Sequence, residues 1–161
     1  MEEIRKYHNL VKRQLIQNTT HQGDSVLDVG CGYGGDLRKW DMCGVRSLDM
    51  CDPSATSLEE AQSRASKFRI KPNFYHGDIL ICPSNKKYDI VCYNFSLHYI
   101  FENYKLFKTH SKSYKKTGVV HASRRKANNA MHHNILNNLR MPASKYWKKR
   151  KGAWECNGCR R

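Results

Sequence analysis

The sequence lacks long apolar runs and is short of acids. Across 161 residues no stretch is apolar for the roughly 20 residues that a membrane helix needs. The opening Met1-Glu-Glu-Ile-Arg-Lys6 has no apolar core of the kind a secretory signal requires. Both absences argue against a membrane-embedded or secreted protein. There are 14 Asp and Glu against 29 Lys and Arg, a formal net charge of +15. The shortage is uneven: residues 123–161 hold 11 of the basic residues and one acid, Glu155. A balance this positive points to a polyanion, above all nucleic acid, although a basic tail can also be plain solvated surface. The 7 cysteines are odd in number and scattered, as expected of reduced thiols in the nucleus or cytoplasm. The length fits one domain.

What is present centres on Val26-Leu-Asp-Val-Gly-Cys-Gly-Tyr-Gly-Gly-Asp36. Val26, Leu27 and Val29 suit a parallel strand covered on both faces. Gly30, Gly32, Gly34 and Gly35 allow a tight turn with close approach of backbone to a ligand. A helix then begins near Asp36, with Leu37 and Trp40 on its inner face. Gly30, Gly32 and Gly35 meet the G-x-G-x-x-G spacing of dinucleotide sites. Asp28 weighs against that ligand, because a carboxylate at the end of the first strand repels a pyrophosphate and attracts a cation. S-adenosylmethionine, with its ammonium and sulfonium, fits better. A dinucleotide or a purely structural turn remains open.

Asp28-Val-Gly-Cys-Gly-Tyr-Gly-Gly-Asp-Leu-Arg-Lys-Trp40 resembles motif I of class I S-adenosylmethionine-dependent methyltransferases, and within them the mRNA cap guanine-N7 methyltransferases. The stretch Asn94-Phe-Ser-Leu-His-Tyr-Ile-Phe-Glu102 is similar to that family's Gln-Phe-x-x-His-Tyr-x-Phe-Glu. Arg5-Lys-Tyr-His-Asn-Leu-Val-Lys12 is similar to its Arg-Asn-Phe-Asn-Asn-Trp-Ile-Lys. The resemblance implies an α/β fold, a Rossmann-like class I methyltransferase sheet truncated after the fifth strand. It also implies a cofactor-binding core over 1–122 and a basic segment over 123–161 that is either disordered or binds RNA.

For the cofactor, the resemblance implies Gly30 and Gly32 beneath its amino-acid end, Lys12 on its carboxylate, and Asp78 on the adenine amino group with Ile79 packed on the ring. An acid ending the second strand can accept both ribose hydroxyls. Asp52 stands there, with Asp49 as a competitor and a helix N-cap as its structural alternative. For the cap, the family pattern implies Asn9 or its neighbour His8, Arg64 on phosphate, and Phe95, His98 and Tyr99 around the guanine. The family often has a lysine inside the glycine turn, where this chain has Tyr33. Phosphate contact then falls to Arg38, Lys39 or Arg64.

Elsewhere the periodicity predicts a helix over 2–17 whose apolar stripe is Ile4, Tyr7, Val11 and Leu15. It predicts strands over 45–51, 73–75 and 86–95, a helix from about Ser54 to Lys67, a basic helix over 106–116, and a fifth strand over 118–122 after a turn at Lys116-Thr-Gly118. Lys145-Tyr-Trp-Lys-Lys-Arg-Lys151 interleaves charge and rings as single-stranded RNA binders do, and as a disordered tail can. Cys156 and Cys159 form a lone pair that fits no zinc module, even with His132 and His133, so no metal is expected.

The implied reaction is methyl transfer from S-adenosylmethionine to guanine N7 of a capped RNA. That nitrogen has an available lone pair, so no general base is needed. The implied partners are the capped 5′ end and other capping-enzyme subunits or domains, in the nucleus, the cytoplasm or a cytoplasmic viral factory. Two alternatives stay open: a class I methyltransferase on another RNA or on protein, and a truncated, non-catalytic RNA-binding relative. Asn94-Phe-Ser-Leu97 is not the Asn/Asp-Pro-Pro-Tyr or Phe of adenine amino methyltransferases, and no Lys-Asp-Lys-Glu tetrad for ribose methylation can be assigned.

Overall fold

The computed structural model describes residues 2–83 and 85–96, and the backbone of three further strands at 114–123, 147–150 and 153–156. The elements run α1 (Glu2–Thr19), β1 (Ser25–Val29), α2 (Leu37–Cys43), β2 (Ser47–Asp52), α3 (Ala55–Ala65), β3 (Asn73–His76), a 3-10 turn (Ile79–Ile81), β4 (Tyr88–Asn94), β5 (Tyr114–Ser123), β6 (Trp147–Arg150) and β7 (Ala153–Cys156). β1 to β5 form one sheet in the order β3-β2-β1-β4-β5, and all four pairings are parallel. This is the expected Rossmann-like arrangement. β6 and β7 pair antiparallel as a separate hairpin. Whether the sheet ends at a fifth strand depends on residues outside those described.

Burial explains why the central strands show no apolar–polar alternation. All five residues of β1 are buried, as are Ile90, Val91, Cys92 and Tyr93 of β4. Strands covered on both faces need no polar alternation. α2 closes one face with Leu37 and Trp40, both 0% exposed, and stops at Gly44, whose left-handed φ of 66° lets its N–H reach the Asp41 carbonyl. Ser54 caps α3 by accepting from the Ser57 N–H, so the N-cap alternative for Asp52 does not hold.

α1 departs from the expected face. Only Ile16 is buried along it, while Ile4, Tyr7 and Leu10 are 61%, 44% and 49% exposed. The helix buries a side chain only in its carboxyl half, and the amino-terminal part of the apolar stripe stays largely exposed. Periodicity marks an apolar face without saying how much of it finds a partner. β5 differs as well. It begins at Tyr114, so a helix reaching 116 is excluded, and residues 106–113 lie outside those described. No turn interrupts it at 116–118. Between the pairs Tyr88↔Tyr114 and Ile90↔Val119 the register shifts, so the residues read as a turn are taken up as an irregularity within the strand.

A parallel sheet delivers the carboxyl ends of its strands to one edge. Here that edge gathers Asp28 of β1, Asp52 of β2, Asp78 just past β3, and Asn94 with Phe95 at the end of β4.

Candidate functional site

The glycine turn leaves β1 and is tied at once to β2: the Gly30 and Cys31 N–H groups both donate to the Cys51 carbonyl, at 2.8 and 3.1 Å. Gly30 has φ +74°, and a Cβ there would lie 2.5 Å from the Ser96 Cβ. Ser96 in turn donates its hydroxyl to the Val29 carbonyl at 2.5 Å, which locks the end of β4 over the end of β1. The glycine that lets a helix approach is Gly34, not the Gly35 of the G-x-G-x-x-G count. A Cβ on Gly34 would meet Leu37 at 2.6 Å and Ala61 at 3.1 Å, whereas one on Gly35 would meet nothing within 4 Å. Gly32 also faces open space. The turn is therefore packed beneath and open above, as a ligand cradle requires.

Two carboxylates bracket it. Asp28 is 1% exposed. Its Oδ2 accepts from the Trp40 indole N–H at 3.1 Å, and its Oδ1 is buried with no hydrogen-bond partner. Burial, and then the negative charge of Asp36, push the Asp28 carboxyl up to about 7, offset in part by Trp40, Lys12 and Lys39. Asp52 stands on the other side. Its Oδ2 accepts from the Gly32 N–H at 2.8 Å and its Oδ1 from the Ser54 N–H at 2.9 Å. A carboxylate has about four acceptor sites, so two remain after these bonds.

Asp49, the competitor, is 0% exposed. It accepts from the Tyr88 hydroxyl at 2.6 Å, the Lys86 ammonium at 2.7 Å and the Asn73 amide at 2.9 Å. It is an internal anchor between strands, and at 0% exposed it presents no accessible oxygen to a ligand.

Asp36 is the residue that sequence reasoning missed. Treated as a helix start, it makes no side-chain capping bond. Instead its carboxylate collects Lys12 at 3.0 Å, the ammonium of Lys39 and the Asn94 amide at 2.8 Å. Burial alone would raise its carboxyl, but Lys12 and Lys39 outweigh that and hold it below the usual range. Lys12, expected on the cofactor carboxylate, is thus already paired beside the turn, and its ammonium also lies 5.8 Å from the centre of the Phe95 ring. No local pattern reveals this cluster, because its members come from α1, α2, the turn and β4. The one signal was that Lys12, Asp36 and Asn94 each stand at an element boundary or in a motif.

The residues expected on the substrate side divide. Phe95 adopts a φ of 69°, unusual for a bulky side chain and often found at functional sites, and its ring packs on His8 at 5.2 Å. His8, not Asn9, therefore shares this wall; Asn9 lines a cleft between α1 and α2. Arg64 lies one turn beyond Ala61, the residue packed on Gly34, and pairs with Glu60 at 2.8 Å. His98 and Tyr99 lie outside the described residues, as do His132, His133 and Cys159. Asp78 is exposed and accepts from the Leu80 N–H through Oδ1 at 2.8 Å.

Ile79 corrects an expectation. At 1% exposed it belongs to the core and has almost no surface for an adenine ring. The exposed apolar side chains next to Asp78 are Leu80 and Ile81, 38% and 54% exposed.

Cys31 inside the turn is no thiolate nucleophile, since burial and the charges of Asp28 and Asp52 push its thiol up. Among the described residues no cluster of His, Cys, Asp and Glu could hold a metal ion. No described helix is long and apolar enough to cross a membrane. A cavity of about 490 Å³ lies at the far end of α2 beside Gly44 and Ile70, away from the turn.

The family model for the mRNA (guanine-N(7))-methyltransferase domain matches residues 1–129, which takes in the turn, both bracketing carboxylates and the end of β4. The chain belongs to this family. It is 34% identical over 114 residues to the mRNA cap guanine-N(7) methyltransferase of Schizosaccharomyces pombe, an alignment covering 63% of this chain and 32% of that protein. Identity to the Saccharomyces cerevisiae protein of the same name is 34% over 116 residues, covering 62% and 26%. The chain thus spans about a third or less of the curated relatives it matches. Its fold is also that of an S-adenosylmethionine-dependent methyltransferase from Thiobacillus denitrificans solved with S-adenosyl-L-homocysteine (TM-score 0.57, 20% identity, 71% of this chain and 46% of that one). The chemistry of the site suits such a cofactor: the unpartnered Asp28 oxygen is complementary to an ammonium, and the turn beside it is open above Gly32.

Proposed function

We propose that this chain carries the cofactor site of an mRNA cap guanine-N7 methyltransferase, moving a methyl group from S-adenosylmethionine to N7 of the guanine at a capped RNA 5′ end. The reading rests above all on the buried, unpartnered oxygen of Asp28 beside an open glycine turn, in a chain of this family. The names of the relatives support the reaction.

Bound over the turn, S-adenosylmethionine supplies a methyl carbon activated by its sulfonium. Everything else is positioning. Asp28 meets the ammonium. Lys12 and Asn94, now held on Asp36, present donors where a second carboxylate can share them. Asp52 keeps two acceptor sites for ribose hydroxyls, Asp78 offers its Oδ2 to the adenine amino group, and Leu80 and Ile81 flank it. Guanine N7 attacks with its own lone pair, so the protein has only to align the reacting atoms and stabilise the shifting charge. Phe95 with His8 forms one aromatic wall. Rings of this kind favour the cationic methylguanine product. His98, Tyr99 and Arg64 complete the substrate side in this reading, with capped RNA as partner, other capping-enzyme subunits or domains alongside, and the nucleus or cytoplasm as location.

The test is incubation with cofactor labelled in its methyl group and RNA bearing an unmethylated guanosine cap. Label confined to the cap supports the reading. Label in uncapped RNA or protein means another substrate. RNA binding without any cofactor binding means a non-catalytic relative.

A further inference from the structure

A cleft of about 310 Å³ runs between α1 and α2, outside the cofactor cradle. Asn9, Arg13 and Gln17 line one wall and Arg38, Lys39 and Met42 the other. Asn9, Arg13 and Gln17 recur every four residues, so they form one line along α1, as Arg38 and Met42 do along α2. No carboxylate lines the cleft. Lys39 pairs with Asp36, which it shares with Lys12, and also donates to the Gly35 carbonyl. Arg13 and Arg38 are exposed, and neither has an ion pair or hydrogen bond among the described residues. The lysines of these helices are engaged, Lys6 with Glu2 and Lys12 and Lys39 with Asp36, and the remaining arginine, Arg5, is not among the residues that line the cleft. Two unpaired guanidiniums facing one cleft repel each other unless an anion lies between them.

We infer that this cleft is a phosphate track for the body of the transcript, in which Arg13 and Arg38 hold successive phosphodiester groups of single-stranded RNA. The inference rests on the cap reading for its substrate and extends it past the cap. The chemistry is specific to a backbone. Guanidinium forks match phosphate oxygens, the amides of Asn9 and Gln17 donate to phosphate or to sugar hydroxyls, and a wall with one apolar side chain and no ring reads no base. The cleft also reaches the loop through Gly35, next to Asp36 of the Lys12 cluster, so a strand leaving the cap site can enter it without crossing the sheet.

The test uses the full chain and three probes: an RNA of about ten nucleotides with a guanosine cap, the same RNA uncapped, and the cap dinucleotide GpppG. Arg13→Gln/Arg38→Gln should weaken both RNAs about tenfold at low salt and leave GpppG unchanged. The slope of log affinity against log salt should fall by about 1.4, since each phosphate contact on a single strand contributes about 0.7. Arg13→Lys/Arg38→Lys should restore the slope, and matched melting temperatures would show that no variant is misfolded. RNA affinity and slope unchanged in the double Gln variant overturn the proposal. So does an equal loss for GpppG, which would assign the cleft to the triphosphate bridge. If the wild type shows no preference for the cap yet the double variant loses uncapped RNA, the cap reading fails and the track stands.

Discussion

Asp28 makes cofactor affinity depend on pH in a way that can be calculated. Its carboxyl titrates at about 7 in the folded chain, because burial and Asp36 disfavour its charge. An ammonium ligand needs the ionised form. With a value of about 7, the ionised fraction falls from about nine-tenths at pH 8 to about one-tenth at pH 6, roughly a tenfold loss of affinity or about 1.4 kcal/mol. S-adenosylhomocysteine titrated by calorimetry from pH 6 to 8 should follow that curve and release close to one proton per ligand at the acid end. The stability sign runs the other way. The folded state keeps a proton that the unfolded chain has lost, so stability contributed at Asp28 declines as pH rises from about 4 to about 7 and is level above. Asp28→Asn should bind weakly at every pH, without the acid-side slope. A wild-type affinity that is flat between pH 6 and 8, or an Asn variant with the same slope, would refute the reasoning.

Gly30→Ala should cost about 2–5 kcal/mol in urea unfolding, combining the left-handed backbone penalty with overpacking against Ser96. Adding Ser96→Gly should recover only the overpacking part. Asp49→Asn should lower stability by about 1–3 kcal/mol, because it disturbs the acceptor of the buried Tyr88 hydroxyl, with S-adenosylhomocysteine affinity preserved; Asp52→Asn should show the converse. Lys12→Met should raise the Asp36 titration seen by carboxyl NMR and weaken S-adenosylhomocysteine by about 1.5–3 kcal/mol, the worth of a charged hydrogen bond.

What could be read from the sequence was local. The strand, turn and helix of 26–43 follow from an apolar run, clustered glycines and Leu37 with Trp40 at helical spacing. Parallel order follows from strands alternating with helices. What could not be read depended on partners distant in sequence. Asp36 binds Lys12 and Asn94, 24 and 58 residues away. Ile79 looks available beside Asp78 because a short apolar triplet does not say which of its members turns inward. Gly34 and Gly35 are indistinguishable in a motif count, and only the approach of Ala61 separates them. His8 and Asn9 are neighbours on one helix, and only Phe95 decides which of them joins its wall.

The central claim is that the turn between Asp28 and Asp52 is a cofactor cradle. A crystal structure of the chain with S-adenosylhomocysteine tests it most directly. The amino-acid end should lie over Gly30–Gly32 with its ammonium on Asp28 Oδ1 and the ribose hydroxyls on Asp52. An ammonium placed elsewhere, or a site still empty at saturating ligand, would contradict the account.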